Sequence, residues 1–358
     1  MNRIIGRADL LPLLLVTLLA TLACFLFLNR GPLYYDEAIY AQVAKEITQT
    51  GDWITLHWNG RPWFHKPPLY LWSTALLFRV FGPSELLARF TSALAGVGCV
   101  ALTYLIAKRV ANNTTAIVAA LILLSSALFT VNARQGMTDV LMTLFTLLAV
   151  YAYLSTGPER VRWIVTGLAC ALAVLTKGAA GLLAPMIVVV SLVWDRRWRE
   201  LTSPSFWQGL IVFLVLAGSW HFLLFAMHGR SFLSAYLFKH VIERASADLH
   251  QYRYGYEFYF EALSHFVWPW VLLMPFAVAA AVRRRGSKIV FVNAVLPLLL
   301  FTLAQTKFSW YIVPIVPALA ILTAQFLCAM MMRVRERYRP LIWLTVLLFA
   351  IVGSVEVL

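Results

Sequence analysis

Ionisable side chains in this 358-residue chain cluster beside the ends of long apolar segments. Such a group costs roughly 2.5–3.5 kcal/mol at bilayer depth on insertion scales, so it usually faces a polar cavity and marks function. The groups come from six stretches of the chain, which are 36–37, 65–66, 134–139, 177, 244–253 and 307–311. We expect these stretches to meet in one polar site on one face of a membrane.

The cations of this set favour an anionic ligand. Lys66, Arg244, Arg253 and Lys307 are the candidate phosphate-binding residues, with Lys177 as a further cation. These cations are more numerous than two or three carboxylates need for charge balance. Lys and Arg are the usual partners of phosphate. Because the surroundings are largely apolar, the sequence predicts a lipid phosphate.

The acids of the set are candidate catalytic groups. Asp36 and Asp139, with Glu37 beside the first, could act as a general base or orient a hydroxyl nucleophile. The same stretches hold the candidate substrate-binding residues, which are His65, His250, Tyr252 and Tyr311.

Each of these residues also has a structural explanation that stays open at the level of sequence. Asp36 and Asp139 could cap the helices that they begin. Lys66, Lys177 and Lys307 could extend toward the lipid headgroups, and His65 could be an interfacial histidine with satisfied hydrogen bonds.

Composition excludes a water-soluble enzyme. The chain is 61% hydrophobic and 13% charged, against about 45–50% and about 25% for an average soluble domain. The net charge of +14 is spread in short basic segments between apolar ones, which is typical of cytoplasmic loops rather than of a nucleic-acid surface. The sequence contains no Walker A, GxSxG, HExxH or GxGxxG motif. Its four cysteines lie inside apolar segments with no CxxC pair, which indicates neither a disulfide framework nor a thiolate metal site. We expect no cofactor; a divalent cation stays open, although no sequence feature supports one.

The elements that must position the polar residues are predicted to be transmembrane helices. Eleven segments are long and apolar enough at about 20 residues per crossing. They are 10–29, 88–107, 114–132, 139–156, 162–176, 180–194, 206–226, 262–281, 289–305, 309–331 and 340–357. The positive-inside rule then places the N-terminus in the cytoplasm and leaves two large outer loops, 30–87 and 227–261.

The first outer loop is predicted to contain two helices that lie at the membrane surface. One runs from Asp36 to Thr50, with Gly51 as a stop signal. The other covers 67–82, is short for a crossing, and would reverse the sidedness of every later arginine cluster if it spanned.

Several motifs resemble, in chain order, those of the lipid A aminoarabinose transferases. They are YDEAIYA at 35–41, GDW at 51–53, FHKPPL at 64–69, RQGMTD at 134–139, KHVIER at 239–244 and KFSWY at 307–311. That family belongs with the protein O-mannosyltransferases in the GT-C class of polyprenyl-phosphate-sugar glycosyltransferases. The resemblance implies a helical membrane fold and sugar transfer from undecaprenyl or dolichyl phosphate at an outward-facing site.

The resemblance also implies roles for individual residues. Asp36 resembles the carboxylate that activates the acceptor, Asp139 a second functional acid, and Lys66 and Arg244 the groups that hold the donor phosphate. Two features differ from the family pattern. His65 stands where the aminoarabinose transferases usually have glutamate. The chain stops after the eleventh predicted span, so we expect no C-terminal soluble domain and allow for a protein partner in its place.

Together these observations predict an all-α polytopic membrane protein of about 11 transmembrane helices, forming a single glycosyltransferase domain over 1–358. We expect an inverting, metal-independent transferase of the bacterial inner membrane, with its active site on the periplasmic face. Its donor would be a sugar on undecaprenyl phosphate and its acceptor a lipid or cell-envelope glycan. The alternatives are a transporter or flippase, which would need midplane charges and inverted repeats, and a non-catalytic subunit that binds a lipid-linked glycan.

Overall fold

Helices dominate the structure, because apolar segments in lipid must satisfy their backbone hydrogen bonds internally. The computed structural model describes residues 7–243 and 254–334, with the single positions 336, 344, 348 and 349. The helices within these residues are α1 (Arg7–Phe25), α2 (Asp36–Thr50), α3 (Leu69–Phe81), α4 (Glu85–Val110), α5 (Asn113–Leu124), α6 (Ala127–Ala133), α7 (Thr138–Tyr153), α8 (Glu159–Lys177), α9 (Leu183–Trp194), α10 (Pro204–Leu233), α11 (Phe258–Phe266), α12 (Met274–Ala281), α13 (Lys288–Leu303) and α14 (Val316–Arg333). A π-helical segment, Ser234–Glu243, continues α10, and a 3₁₀ segment, Ser309–Ile315, leads into α14.

Fewer of the described helices are long and apolar enough to cross a membrane than the eleven spans that the sequence predicts. Four helical runs among the described residues are long and apolar enough to cross a membrane: Glu85–Val110, Glu159–Trp194, Pro204–Phe238 and Ser309–Arg333. Counting α5 and α6, which are bent by 69°, as one span gives five. Shorter apolar helices occupy other predicted spans, and 340–357 lies largely outside the described residues. The polytopic helical fold is therefore confirmed, while the count of about 11 is not.

A sharp reversal joins α8 to α9 within the run Glu159–Trp194. Gly178 has φ +58°, a left-handed conformation that glycine adopts without steric cost. A Cβ at Gly181 would overlap the carbonyl of Ala173, so the chain folds back closely on α8 at this point. The two helices are thus separate arms of a hairpin, as predicted, and Lys177 lies at its tip.

Packing places one end of several helices together. α8 packs on α7 and on α10, and α7 also packs on α4. Because α7 begins at Thr138 where α8 ends at Lys177, these two residues lie at the same end of the bundle. Tyr153 and Glu159, at the other ends of the same helices, lie at the opposite end.

The loop after α1 carries α2, a small hairpin and α3. α2 starts at Asp36 and ends before Gly51, as predicted, and α3 covers most of the predicted segment 67–82. Between them, β1 (His57–Trp58) and β2 (Arg61–Pro62) pair antiparallel. That the two helices lie at the membrane surface stays a prediction.

Candidate active site

Residues from distant parts of the chain line one cavity of about 500 Å³ at the start of α7. This cavity, called the acidic cavity below, falls within the roughly 300–1,000 Å³ of small-molecule sites. Its lining consists of Tyr34, Tyr35, Asp36, Glu37, Tyr40, Lys66, Gln135, Met137, Asp139, Lys177, Phe308, Trp310 and Tyr311. Five of the six predicted polar stretches contribute to it. The sixth, 244–253, lies outside the described residues.

Asp36 is the first residue of α2 and is half-buried in the cavity wall. Tyr40, one helical turn later, donates its hydroxyl to Asp36 Oδ2 at 3.2 Å. The residue before it, Tyr35, has φ +39°, which is uncommon for a residue other than glycine. Such backbone strain persists only where the surroundings fix it, and it concentrates at functional sites.

A buried ion pair between Glu37 and Arg89 fixes this turn. Arg89 Nε lies 2.9 Å from Glu37 Oε1, and Arg89 Nη2 lies 3.2 Å from Oε2. The same carboxylate accepts hydrogen bonds from the backbone N–H groups of Gly136 at 2.6 Å and Tyr34 at 3.1 Å. Glu37 lines the cavity, but its oxygens are committed to holding two backbone segments together.

The other nitrogens of Arg89 bind the chain between α1 and α2. Nη1 donates to the carbonyls of Leu28 at 3.1 Å and Arg30 at 3.0 Å, and Nη2 donates to that of Pro32 at 3.0 Å. One guanidinium on α4 therefore holds the whole segment that leads to the strained Tyr35 and to Asp36. We call Arg89 and Glu37 the clamp.

Asp139 and Lys177 form a second ion pair deep in the cavity. Asp139 is 1% exposed and its Oδ1 binds Lys177 Nζ, which also lies 5.0 Å from the centroid of the Tyr311 ring. Asp139 Oδ2 has no hydrogen-bond partner among the described residues. A buried polar atom without a partner costs free energy, so this oxygen is poised to accept a hydrogen bond from a ligand.

A second, more apolar cavity of about 280 Å³ adjoins the first. Lys66, Lys177 and Tyr311 line both cavities and so form the wall between them. The remaining lining is mostly aliphatic and aromatic and includes Met186 and Leu300, which are 40% and 37% exposed on the outer surface of the bundle. We call it the apolar cavity.

Not every predicted site residue faces the acidic cavity. His65 is exposed and lines the apolar cavity only. Lys307 is buried, donates to the carbonyl of Tyr254 at 3.4 Å, and lines a different cavity with Phe258 and Glu261. The remaining predicted residues lie outside the described part of the chain; they are Arg244, His250, Tyr252 and Arg253.

Some residues of the site were not singled out from the sequence. Arg89 lies inside a predicted span, and its charge at that depth was the signal that could have marked it. Tyr34, Gln135 and Trp310 neighbour predicted residues and carry no separate signal. Within 7–243 and 254–334, no three His, Cys, Asp or Glu side chains are grouped as metal ligands, and metal independence remains a prediction.

Comparison with known proteins shows which glycosyltransferases this chain resembles. Residues 65–236 match the family model described as dolichyl-phosphate-mannose-protein mannosyltransferase. The chain is 32% identical over 305 residues to the undecaprenyl phosphate-alpha-4-amino-4-deoxy-L-arabinose arabinosyl transferase of Pseudomonas aeruginosa strain UCBPP-PA14. By both comparisons the chain is similar to glycosyltransferases of the GT-C class. This confirms the resemblance that its motifs indicate.

The relatives are longer than this chain. The Pseudomonas alignment covers 82% of this chain and 55% of the relative, and an uncharacterized protein of Aquifex aeolicus is 34% identical over 82% of this chain and 59% of its own length. The crystal structure of ArnT from Cupriavidus metallidurans bound to undecaprenyl phosphate superposes with a TM-score of 0.81 at 24% identity. It covers 94% of this chain and 62% of that one, and it establishes the shared fold.

Proposed function

We propose that this protein transfers a sugar from undecaprenyl phosphate to a lipid or cell-envelope acceptor on the periplasmic face of the bacterial inner membrane. The observation that carries the proposal is the shared wall of Lys66, Lys177 and Tyr311. It sets two cations between a carboxylate-lined cavity and an apolar one. A donor with a sugar, a phosphate and a polyprenyl chain has these same three parts in this order.

The donor is proposed to lie across that wall. Its polyprenyl chain would enter the apolar cavity past Met186 and Leu300, which are exposed where the bundle faces lipid. Its phosphate would lie beside the ammonium groups of Lys66 and Lys177, and its sugar would reach the acidic cavity. Asp139 Oδ2, buried and without a partner among the described residues, is then available to a hydroxyl or amino group of the sugar.

The transfer step is a single displacement at the anomeric carbon. Asp36 takes the proton from the acceptor hydroxyl while that oxygen bonds to C1 of the sugar. The bond between C1 and the phosphate oxygen breaks, and its electron pair stays on undecaprenyl phosphate. Cations placed where this charge develops lower the barrier. Attack opposite to the leaving phosphate inverts the anomeric configuration.

The test is release of undecaprenyl phosphate by the purified chain in liposomes. We would supply a panel of undecaprenyl-phosphate sugars with an envelope lipid extract and measure initial rates. A positioned base contributes typically about 10²–10⁴-fold, so Asp36→Asn should lower the rate by about that factor. Glu85→Gln, an exposed acid at the start of α4, is the matched control and should retain the rate.

Two results would contradict the proposal. If Asp36→Asn released undecaprenyl phosphate as fast as the unchanged chain, Asp36 would not be the base. If no donor gave release while the chain still bound undecaprenyl-phosphate lipids tightly, a transporter or a binding subunit would be favoured instead.

A further inference from the structure

A second polar cavity lies at the opposite end of the bundle from the candidate active site. It measures about 710 Å³ and is lined, among others, by Tyr153, Arg162, Asp195, Arg197, Arg199 and Lys288. These residues lie at the end of α7, near the start of α8, after the end of α9 and at the start of α13. At 1.5 Å per residue, the 14 residue steps from Asp139 to Tyr153 along α7 separate Asp139 from this cavity by about 21 Å. We call it the distal cleft.

The carboxylates of the distal cleft hold its cations in place. Glu200 binds Arg162 Nη2 at 2.7 Å and also binds Arg197. Asp195 Oδ1 lies 3.1 Å from Lys288 Nζ, and Tyr153 donates its hydroxyl to Asp195 Oδ2 at 3.1 Å. Cations fixed in this way are pre-organised, so an anion entering the cleft orders few side chains.

The cleft retains hydrogen-bond donors beyond these pairs. Within 7–243 and 254–334, the Arg199 guanidinium has no carboxylate partner, although it lines the cleft. The hydroxyl oxygens of Ser155 and Ser203 each accept a backbone N–H at 3.2 Å, which leaves their protons to be donated. A guanidinium with spare donors and nearby hydroxyls suits an anion with several oxygens, such as phosphate.

The rim of the distal cleft has the character of a membrane–water boundary. Val161 and Trp198, each next to a lining residue in the chain, are 55% and 51% exposed, and Trp207, one helical turn after the lining residue Ser203, is 53% exposed. Exposed tryptophans are typical of the headgroup level of a bilayer. The phosphates found at that depth are those of phospholipids, which basic pockets between helices bind on the cytoplasmic side.

We propose that the distal cleft binds the phosphate headgroup of an anionic phospholipid. Arg199 and Lys288 contact the phosphate oxygens, Ser155 and Ser203 donate hydroxyl hydrogen bonds, and the acyl chains leave past Trp198 and Trp207. The site lies on the membrane face opposite to the candidate active site and does not depend on the proposed transfer reaction.

The test compares lipid retention in nanodiscs of phosphatidylcholine that contain a minor share of phosphatidylglycerol. The protein is then released from the nanodisc, and native mass spectrometry counts the phosphatidylglycerol and phosphatidylcholine molecules that remain bound to it. The unchanged chain should retain phosphatidylglycerol preferentially, and Arg199→Gln should weaken that retention about tenfold, as expected for a lost charge-assisted hydrogen bond. Arg196→Gln removes the same charge from an exposed neighbour that does not line the cleft, and should change retention less than about twofold.

The matched pair makes the proposal falsifiable. If Arg196→Gln and Arg199→Gln lowered the retention of phosphatidylglycerol equally, the cause would be diffuse attraction to anionic lipid. That result would overturn a specific site. Retention without preference for phosphatidylglycerol would overturn it as well. Displacement of the lipid by millimolar inorganic phosphate would assign the cleft to free phosphate instead. Arg199→Lys, which keeps the charge, should restore much of the preference if Arg199 contacts the headgroup.

Discussion

At the scale of single residues, the buried pair of Asp139 and Lys177 couples stability to the candidate active site. Both side chains are at least nine-tenths buried. Removing one partner of such a pair leaves an uncompensated buried charge, which costs about 3–5 kcal/mol. Asp139→Asn should therefore lower stability markedly in thermal unfolding, and it should also abolish transfer if Asp139 binds the sugar.

The double variant Asp139→Leu, Lys177→Met separates these two effects. Replacing both members of a buried ion pair by well-packed apolar residues of similar volume is often close to neutral for stability. We expect the double variant to regain most of the melting temperature and none of the transfer rate. Recovery of both together would mean that the pair serves only the fold.

Glu46 gives a prediction that depends on pH. Partial burial alone would raise the pKa of this carboxyl, but hydrogen bonds from Gln42 and from the backbone of Gly60 and Asn59 outweigh it and lower the pKa. A carboxyl with a lowered pKa stabilises the fold above its unfolded value, and this contribution disappears as pH falls through the folded value. The melting temperature of the unchanged chain should exceed that of Glu46→Gln at pH 7. The difference should shrink as pH falls below the ordinary glutamate pKa of about 4.3. A constant difference across this range would contradict the assignment.

At the scale of elements, the clamp is the feature that sets Asp36. Arg89 joins α4 to Glu37 on α2 and to four backbone carbonyls between Leu28 and Pro32. Lysine cannot reproduce the planar fork that makes these bonds. Arg89→Lys should therefore move Asp36 and lower kcat by about 10²-fold, as expected for a shift near 1 Å, with a smaller change in KM. Arg109→Lys, which breaks a single exposed bond to Thr156, is the control. An unchanged kcat in Arg89→Lys would limit the clamp to stability.

Local signals explain which elements the sequence predicted. Asp36 and Gly51 mark the two ends of α2, because a helix start or stop signal depends only on residues within about one helical turn of it. The hairpin of β1 and β2 was not predicted, although Asn59-Gly60 is a strong hairpin signal. Arg89 and Glu37 are 52 positions apart, and Lys177 and Asp139 are 38 apart. No local pattern fixes such a pair, since it forms only once the helices have packed.

At the scale of the whole molecule, the convergence of polar stretches was predictable because the helices are rigid and their ends are marked by charge. Lys307 shows where this reasoning stops. Its neighbours Phe308, Trp310 and Tyr311 line the acidic cavity, whereas Lys307 points into another one. Which side chain of the short turn before the 3₁₀ segment faces a given cavity depends on the packing around that turn, and spacing in the sequence does not determine it.

The arrangement of helices also predicts that the two polar ends face opposite sides of the membrane. From Tyr35 to Trp198 the chain passes through α4, the bent pair α5 and α6, α7, α8 and α9, which makes an odd number of passages. The bent pair counts as one passage because its start and its end lie at opposite ends of the bundle. α5 starts at Asn113, which binds Tyr104 near the end of α4. α6 is followed by Gly136, whose backbone N–H binds Glu37 at the active-site end.

Labelling with a membrane-impermeant maleimide tests this sidedness. Tyr35 is 90% exposed and Trp198 is 51% exposed, while Cys24, Cys99, Cys170 and Cys328 are all buried and should give little background. Tyr35→Cys should react in intact spheroplasts, and Trp198→Cys should react only after the membrane is permeabilised. Reaction of both from outside would make α5 and α6 a re-entrant loop rather than a span. Reaction of Trp198→Cys alone would invert the orientation and place the candidate active site in the cytoplasm. If Tyr35→Cys reacts in intact spheroplasts and Trp198→Cys reacts only after permeabilisation, the distal cleft lies in the cytoplasmic leaflet. Basic residues meet anionic headgroups in that leaflet.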